Sequence, residues 1–329
     1  MATALRRMVE YHFGWNEQGE PTGRRDRDEE GGGAEHTPLP GKALRPALAL
    51  LCAEAVCTRR DRALPAAVAV ELVHNFSLVH DDLIDGDAYR HGRPTLWSRF
   101  GRGEATLTGD ALFALAFRVL AEAPAPRLAL TLCELADATH EMADGQALDL
   151  LGQGRGRVDG GVVAERACAV ARAKTGALMG CACAVGAIAG GADDVRTGHF
   201  RAFGRSLGLA FQLADDLLGI WGDPGRTGKP VGSDLAERRV TLPVAAALAS
   251  RTAAGRELAE RYDAVEPPGM AEVPDMTRLV EQAGGRLWAV QALARFRAEA
   301  AAHLRRAAPA SGPGGMLSGL AAAAACRSH

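Results

Sequence analysis

The sequence predicts an all-α fold, a single bundle of helices, and three observations carry that expectation. Apolar residues recur at spacings of three and four, first in Leu44, Leu48 and Leu51, then in Val68, Leu72 and Val79, with the polar Asn75 on the same line. That rhythm lines one face of a helix. No stretch alternates apolar and polar residues as a half-buried strand would. Long periodic segments are parted only by short breaks bearing Gly or Pro, with no repeat and no dividing linker, so residues 1–329 read as one domain.

Taken in order, the chain begins with a short amphipathic segment, MATALRRMVEYHFGW. Residues 16–38 follow; they are charged, Gly-rich and almost free of large apolar residues, which predicts a flexible loop. Helical periodicity starts after Pro40. Further helices are expected at about 105–122, 126–150, 162–190, 196–221, 240–261 and 275–305, with a last one near 316–326. The breaks fall at Pro124 and Pro126, in the Gly-rich segment 152–161, at Gly190-Gly191, and from Pro224 to Pro230. Asp193-Asp194 follows two glycines and has no apolar frame, so it reads as a loop.

A chain of 329 residues and 34.4 kDa can bury a large core. Its net charge of -2 and pI of about 6.5 lack the basic excess of a nucleic-acid binder, so no nucleic-acid partner is expected. Any polyanion must be met locally. Cysteines at 52, 57, 133, 168, 181, 183 and 326 show no metal-ligand rhythm and read as small buried thiols in a reducing compartment. No long uncharged apolar run is present, which predicts a cytoplasmic protein without a transmembrane segment.

Two acidic constellations stand out. In His80-Asp81-Asp82-Leu83-Ile84-Asp85, Asp81 and Asp85 project from one helix face, Asp82 lies beside them, and His74 sits on the same line about two turns earlier. Carboxylates so crowded repel one another unless a cation sits among them. Hard oxygen ligands on a helix suit Mg²⁺, which keeps waters and bridges to substrate phosphates. A solvated acidic helix end is the plainer alternative, and the apolar flanks Leu78, Val79, Leu83 and Ile84 weigh against it. The second constellation is Phe211-Gln212-Leu213-Ala214-Asp215-Asp216-Leu217-Leu218-Gly219, where Gln212, Asp215, Asp216 and Gly219 share a stripe. Two such stripes facing one cavity would hold metals around a diphosphate leaving group.

The chain has only three lysines, Lys42, Lys174 and Lys229, each beside Gly, Pro or Thr. A compact ammonium is a point charge for phosphate oxygens, which the planar guanidinium fork is not.

Together these residues resemble the trans-isoprenyl (polyprenyl) diphosphate synthase family, and among its members the short-chain geranylgeranyl and farnesyl diphosphate synthases. The likeness runs through GKALRP, ELVHNFSLVHDDLIDGD, RHGRPT, GDALFALAF, GQALDL, AKTGAL, FQLADDLLG and GKPVGSDLAERRVTLP, in the family's order. It implies a helical bundle of the isoprenoid synthase type around a central cavity, usually a homodimer. It also implies condensation of isopentenyl diphosphate with an allylic prenyl diphosphate, using three Mg²⁺ ions. Asp81, Asp82 and Asp85 would form the first metal motif, and Asp215 and Asp216 the second. Lys42, Arg45 and His74 correspond to the isopentenyl diphosphate site; Arg90, Lys174, Thr175, Gln212 and Lys229 correspond to groups around the allylic diphosphate.

Three departures accompany the likeness. His91 stands where the family usually has a second Arg for isopentenyl diphosphate, and Arg239 where it has a late Lys. Gly219 stands where the second motif often has Asp; Asp223, a turn further on, is a candidate substitute. By the same resemblance, Phe76 and Ser77, just before the first motif, would set product length, with Phe76 about 7 Å deeper along the helix. They imply a C20 product, with C15 next; core packing alone is the alternative role for Phe76. Two other functions fit the scaffold: a class I terpene cyclase, and a non-catalytic partner subunit of a synthase.

Overall fold

The computed structural model describes residues 3–15, 43–57, 59–123, 127–152, 160–222, 232–264 and 269–325. The loop expected at 16–38 lies outside them. Its helices are α1 (Thr3–His12), α2 (Leu44–Val56), α3 (Leu64–Asp85), α4 (Leu96–Phe100), α5 (Arg102–Ala121), α6 (Leu128–Gly152), α7 (Gly160–Ala171), α8 (Ala177–Gly190), α9 (Asp194–Trp221), α10 (Ser233–Ala236), α11 (Leu242–Ala249), α12 (Ala253–Asp263), α13 (Val273–Gln282), α14 (Gly285–Arg306) and α15 (Ser311–Ala325). A π-helical turn, Arg172–Gly176, joins α7 to α8. The fold is all-α, as the periodicity predicts.

Helix α8 explains the arrangement of the rest. Its sequence, ALMGCACAVGAIAG, has no charged residue and no polar face, and all of it is buried. A helix apolar all round must be enclosed, and α2, α3, α6 and α9 enclose it. Phe200, Phe203, Leu48, Leu135 and Leu178 are among the largest fully buried side chains around this centre. Ion pairs between Arg201 and Glu134 and between Arg205 and Glu141 tie α9 to α6 on the outer side.

The structure departs from the sequence expectations at identifiable points. A two-stranded hairpin, β1 (Tyr89–Arg90) and β2 (Arg93–Pro94), follows α3, with Tyr89 opposite Pro94 and Arg90 opposite Arg93. Its turn is His91-Gly92, both at positive φ (51° and 77°), the geometry of a two-residue hairpin loop. The segment 240–261 is two helices, because Thr252 accepts a hydrogen bond from the Gly255 amide and starts α12 afresh. The segment 275–305 breaks at Gly284, whose φ is 86°. Asp193 is no loop residue but the N-cap of α9, accepting from the Arg196 amide, while Asp194 pairs with Arg127 at 2.5 Å.

Cys52, Cys181 and Cys183 are buried thiols as expected, whereas Cys133 is exposed. Two helical stretches, Arg60–Asp85 and Gly160–Gly190, are long and apolar enough by length and composition to cross a membrane; the second is 94% buried within the protein over that window. These two stretches also carry much of the site described next.

Candidate active site

The C-terminal end of α3 forms one acidic wall. Gly86, at φ 73°, caps the helix immediately after Asp85. Asp81, Asp82 and Asp85 therefore crowd the last two turns, where the helix dipole is negative and adds to the cost of their charge. Burial pushes all three carboxyls up, Asp82 to about 6. For Asp81 and Asp85, Lys174 is the largest opposing influence, and Asp149 adds to the repulsion. Asp82 differs from its neighbours. It is buried, and its Oδ1 accepts from Arg90 Nε at 2.6 Å across the turn after α3. The carboxylate thereby fixes the guanidinium rather than standing with Asp81 and Asp85.

The second wall is the C-terminal half of α9. Asp216 is buried and both its oxygens are engaged: Gln212 Nε2 donates to one at 2.8 Å and the Leu242 amide to the other at 2.9 Å. Burial nevertheless raises its carboxyl to about 7, with Asp234 and Asp215 adding repulsion. Asp216 thus ties α9 to the start of α11, and Asp215, one residue earlier, is half-buried.

The π turn lies between the walls. A single widened turn changes which way successive side chains point. Lys174 Nζ reaches Asp149 Oδ2 on α6 at 3.0 Å, and the next residue, Thr175, donates from Oγ1 to Gln212 Oε1 on α9 at 2.9 Å. One cation thus acts on Asp81 and Asp85, while its chain neighbour is bonded to the second wall. Arg239, after α10, extends the bridge: it lies 3.7 Å from Asp87 and lowers the Asp85 carboxyl. The α3 carboxylates Asp81 and Asp85 are therefore met by Lys174, and Asp85 also by Arg239, while the neighbour of Lys174 is bonded to Gln212 of α9.

The family described as Polyprenyl synthetase matches residues 33–280. The chain belongs to the polyprenyl synthetase family. A geranylgeranyl diphosphate synthase of Mycobacterium tuberculosis is 44% identical over 286 residues, covering 87% of this chain and 77% of that one. A (2E,6E)-farnesyl diphosphate synthase of Mycobacterium bovis is 42% identical over 291 residues, covering 87% and 76%. Among solved structures, a polyprenyl synthetase from Streptomyces coelicolor A3(2) aligns with a TM-score of 0.87 and 40% identity, over 98% of this chain and 93% of that one.

The remaining candidate residues sort by position. Arg45, in the first turn of α2, is half-buried with its Nε buried; desolvation lowers its guanidinium to about 10 against the pull of Glu71. Burial first, then Arg45 and Arg90, lowers His74 well below the ordinary imidazole range, so it is neutral at pH 7. His91 is exposed at the hairpin tip. Lys42, Lys229 and Asp223 lie outside the described residues. Phe76 is half-buried, its ring centroid 4.7 Å from His80 and 5.2 Å from Phe113, which in turn meets Phe117 at 5.1 Å. Ser77 spends its hydroxyl locally, donating to His74 O at 2.8 Å.

Residues that sequence reasoning did not single out also shape the site. Asp149, within GQALDL, holds Lys174. Asp234, within GKPVGSD, explains Gly219: its carboxylate occupies the place a side chain on residue 219 would fill. Both sit in motifs quoted for the resemblance, yet nothing local to either marks the partner it meets. His12 of α1 was missed altogether, because its partner Asn75 is 63 residues away.

Proposed function

We propose that the chain catalyses head-to-tail (1'-4) condensation of isopentenyl diphosphate with an allylic diphosphate, giving a short all-trans prenyl diphosphate, C20 ahead of C15. As a polyprenyl synthetase family member it is a prenyltransferase. The observation that carries the reading is the Lys174–Thr175 pair: Lys174 acts on Asp81 and Asp85 while Thr175, beside it, is bonded to Gln212 of the second wall. We take the functional unit to be one domain acting in the cytoplasm as a homodimer, without a membrane span.

Hard oxygen donors whose ionisation is resisted by burial and mutual repulsion fit a divalent ion. Asp81, Asp85 and Asp215 would hold Mg²⁺, three ions per site, with Asp82 and Asp216 serving mainly to fix Arg90, Gln212 and α11. When bound, the ions neutralise the diphosphate leaving group of the allylic substrate. Lys174 and Arg90, with Lys229 and Arg239, supply further positive charge to that anion. The Thr175 hydroxyl proton is engaged by Gln212, so the lone pairs of Thr175 Oγ1 are what remains to stabilise an allylic cation. Isopentenyl diphosphate, met by Lys42, Arg45 and His74 with His91 at the rim, attacks through its double bond. The departing diphosphate then takes the proton, and no protein nucleophile is required.

Diphosphate release tests the reading. Mg²⁺-dependent release that requires both isopentenyl diphosphate and an allylic diphosphate is the expected result. Release from the allylic substrate alone would mark a terpene cyclase instead, and no release with geranyl or farnesyl diphosphate would mark a non-catalytic partner.

A further inference from the structure

Helix α1 stands apart from the motifs in sequence, yet its last turn is fastened to the active-site end of the bundle. The Tyr11 hydroxyl donates to Pro94 O at 2.9 Å, and Arg93 Nη2 donates to Tyr11 O at 3.0 Å, with the guanidinium 4.7 Å above the tyrosine ring. The hairpin so gripped also carries Arg90. The next residue, His12, reaches α3: His12 Nε2 lies 2.8 Å from Asn75 Oδ1.

The direction of that bond follows from its neighbours. Asn75 Nδ2 is 2.8 Å from Glu71 O, a backbone carbonyl that can only accept. The Asn75 amide nitrogen must therefore face Glu71, which leaves Oδ1 facing His12 and obliges Nε2 to carry the proton. Burial, and next among the lowering influences Arg90 and Arg93, brings His12 to about 4 against the Asn75 bond, so the ring donates as a neutral imidazole.

The chain of contacts continues inward. Asn75 Nδ2 also approaches Glu71 Oε1 at 3.3 Å, and Glu71 is a charge partner of Arg45. At the inner end, Arg45 Nε and Glu71 Oε2 are buried with no hydrogen-bond partner among the described residues. Buried polar atoms are ordinarily paired, and Arg45 Nε is the donor at this end that an anionic group could meet. Arg45 and His74, which flank it, are the residues assigned above to isopentenyl diphosphate.

We propose that His12 is a positioning residue of the isopentenyl diphosphate subsite, holding the Asn75–Glu71 chain that sets the place of Arg45 and His74. The proposal rests on the condensation reading above. It gives α1 a role in the site rather than only in packing.

Steady-state kinetics of the full chain with both substrates, together with melting curves, provide the test. His12→Ala is expected to raise KM for isopentenyl diphosphate about tenfold, the effect of leaving a buried polar partner unmet, while KM for the allylic substrate stays within about twofold. His12→Gln, which restores a neutral N–H donor, is expected to recover most of the loss. Asn75→Ala is expected to reproduce the effect, and the double variant to be no worse than either single one. An unchanged KM for isopentenyl diphosphate in His12→Ala overturns the proposal. So does an equal rise in both KM values that follows the melting temperature and is not recovered by His12→Gln. Wild-type protein that never consumes isopentenyl diphosphate removes the condensation reading, and the proposal with it.

Discussion

Asp81 and Asp82 are adjacent, and the fold gives them opposite work. Burial raises the Asp81 carboxyl, with Lys174 its largest opposing neighbour and Asp85 a further like charge, so its ionisation costs stability. Asp82 is spent on Arg90 at 2.6 Å. Asp81→Asn should therefore leave the melting temperature unchanged or raised while lowering kcat/KM by about a thousandfold, because a metal ligand is lost. Asp82→Asn loosens Arg90 rather than a metal ion and should retain measurable turnover. Initial rates beside melting curves check both, and equal losses of activity in the two variants would refute the division. The helical wheel made half of this legible: Asp81 and Asp85 share a face at a spacing of four. The other half was not, because Arg90 lies beyond a turn and the Leu242 amide that meets Asp216 lies 26 residues further on. Contacts of that range leave no local periodicity.

At the scale of elements, apolar periodicity located the long helices, and what it missed is what periodicity cannot encode. A π turn changes the hydrogen-bond pattern of Arg172–Gly176 without interrupting the apolar face. Strands of two residues are too short to alternate, so the hairpin at 89–94 was visible only through His91-Gly92. Gly284-Gly285 and Thr252 were signals for the two split helices. The packing of α3 on α5 bears on product length, since Phe76 does not stand alone but heads a line of rings with Phe113 and Phe117. If that line closes the pocket below Asp81, Phe76→Ala should lengthen the product by at least one five-carbon unit, and Phe76→Ala with Phe113→Ala further still. Mass spectrometry of the prenyl diphosphates reads this directly, and an unchanged product distribution would assign the rings to packing alone.

Across the whole molecule, the site is a concentration of groups whose ordinary ionisation the fold resists, and the signs of those shifts oppose one another. Asp82 and Asp216, raised to about 6 and 7, favour the folded state while protonated. Their contribution is full below the ordinary carboxylate range and is lost as pH rises through 6 and 7. His12, lowered to about 4, and His74, lowered also, act the other way: they contribute above 6.5 and lose that contribution as pH falls toward 4. The pH dependence of the metal-free protein is therefore a difference between two sets. The increment produced by Mg²⁺ is simpler, because the ion competes with protons for carboxylates, while the histidine contributions are common to both measurements and cancel. A ligand at ten times its Kd adds about 1.4 kcal/mol to a folded state, which for a chain of this size shifts the melting temperature by about 2 °C. Melting curves with and without millimolar Mg²⁺ should show that shift at pH 8 and a shrinking one as pH falls, because Asp81 and Asp85 are both raised and protons compete with the ion for them. An increment independent of pH would place the ion somewhere other than these two walls, and the assignment of Asp81, Asp85 and Asp215 to the metal would fail with it.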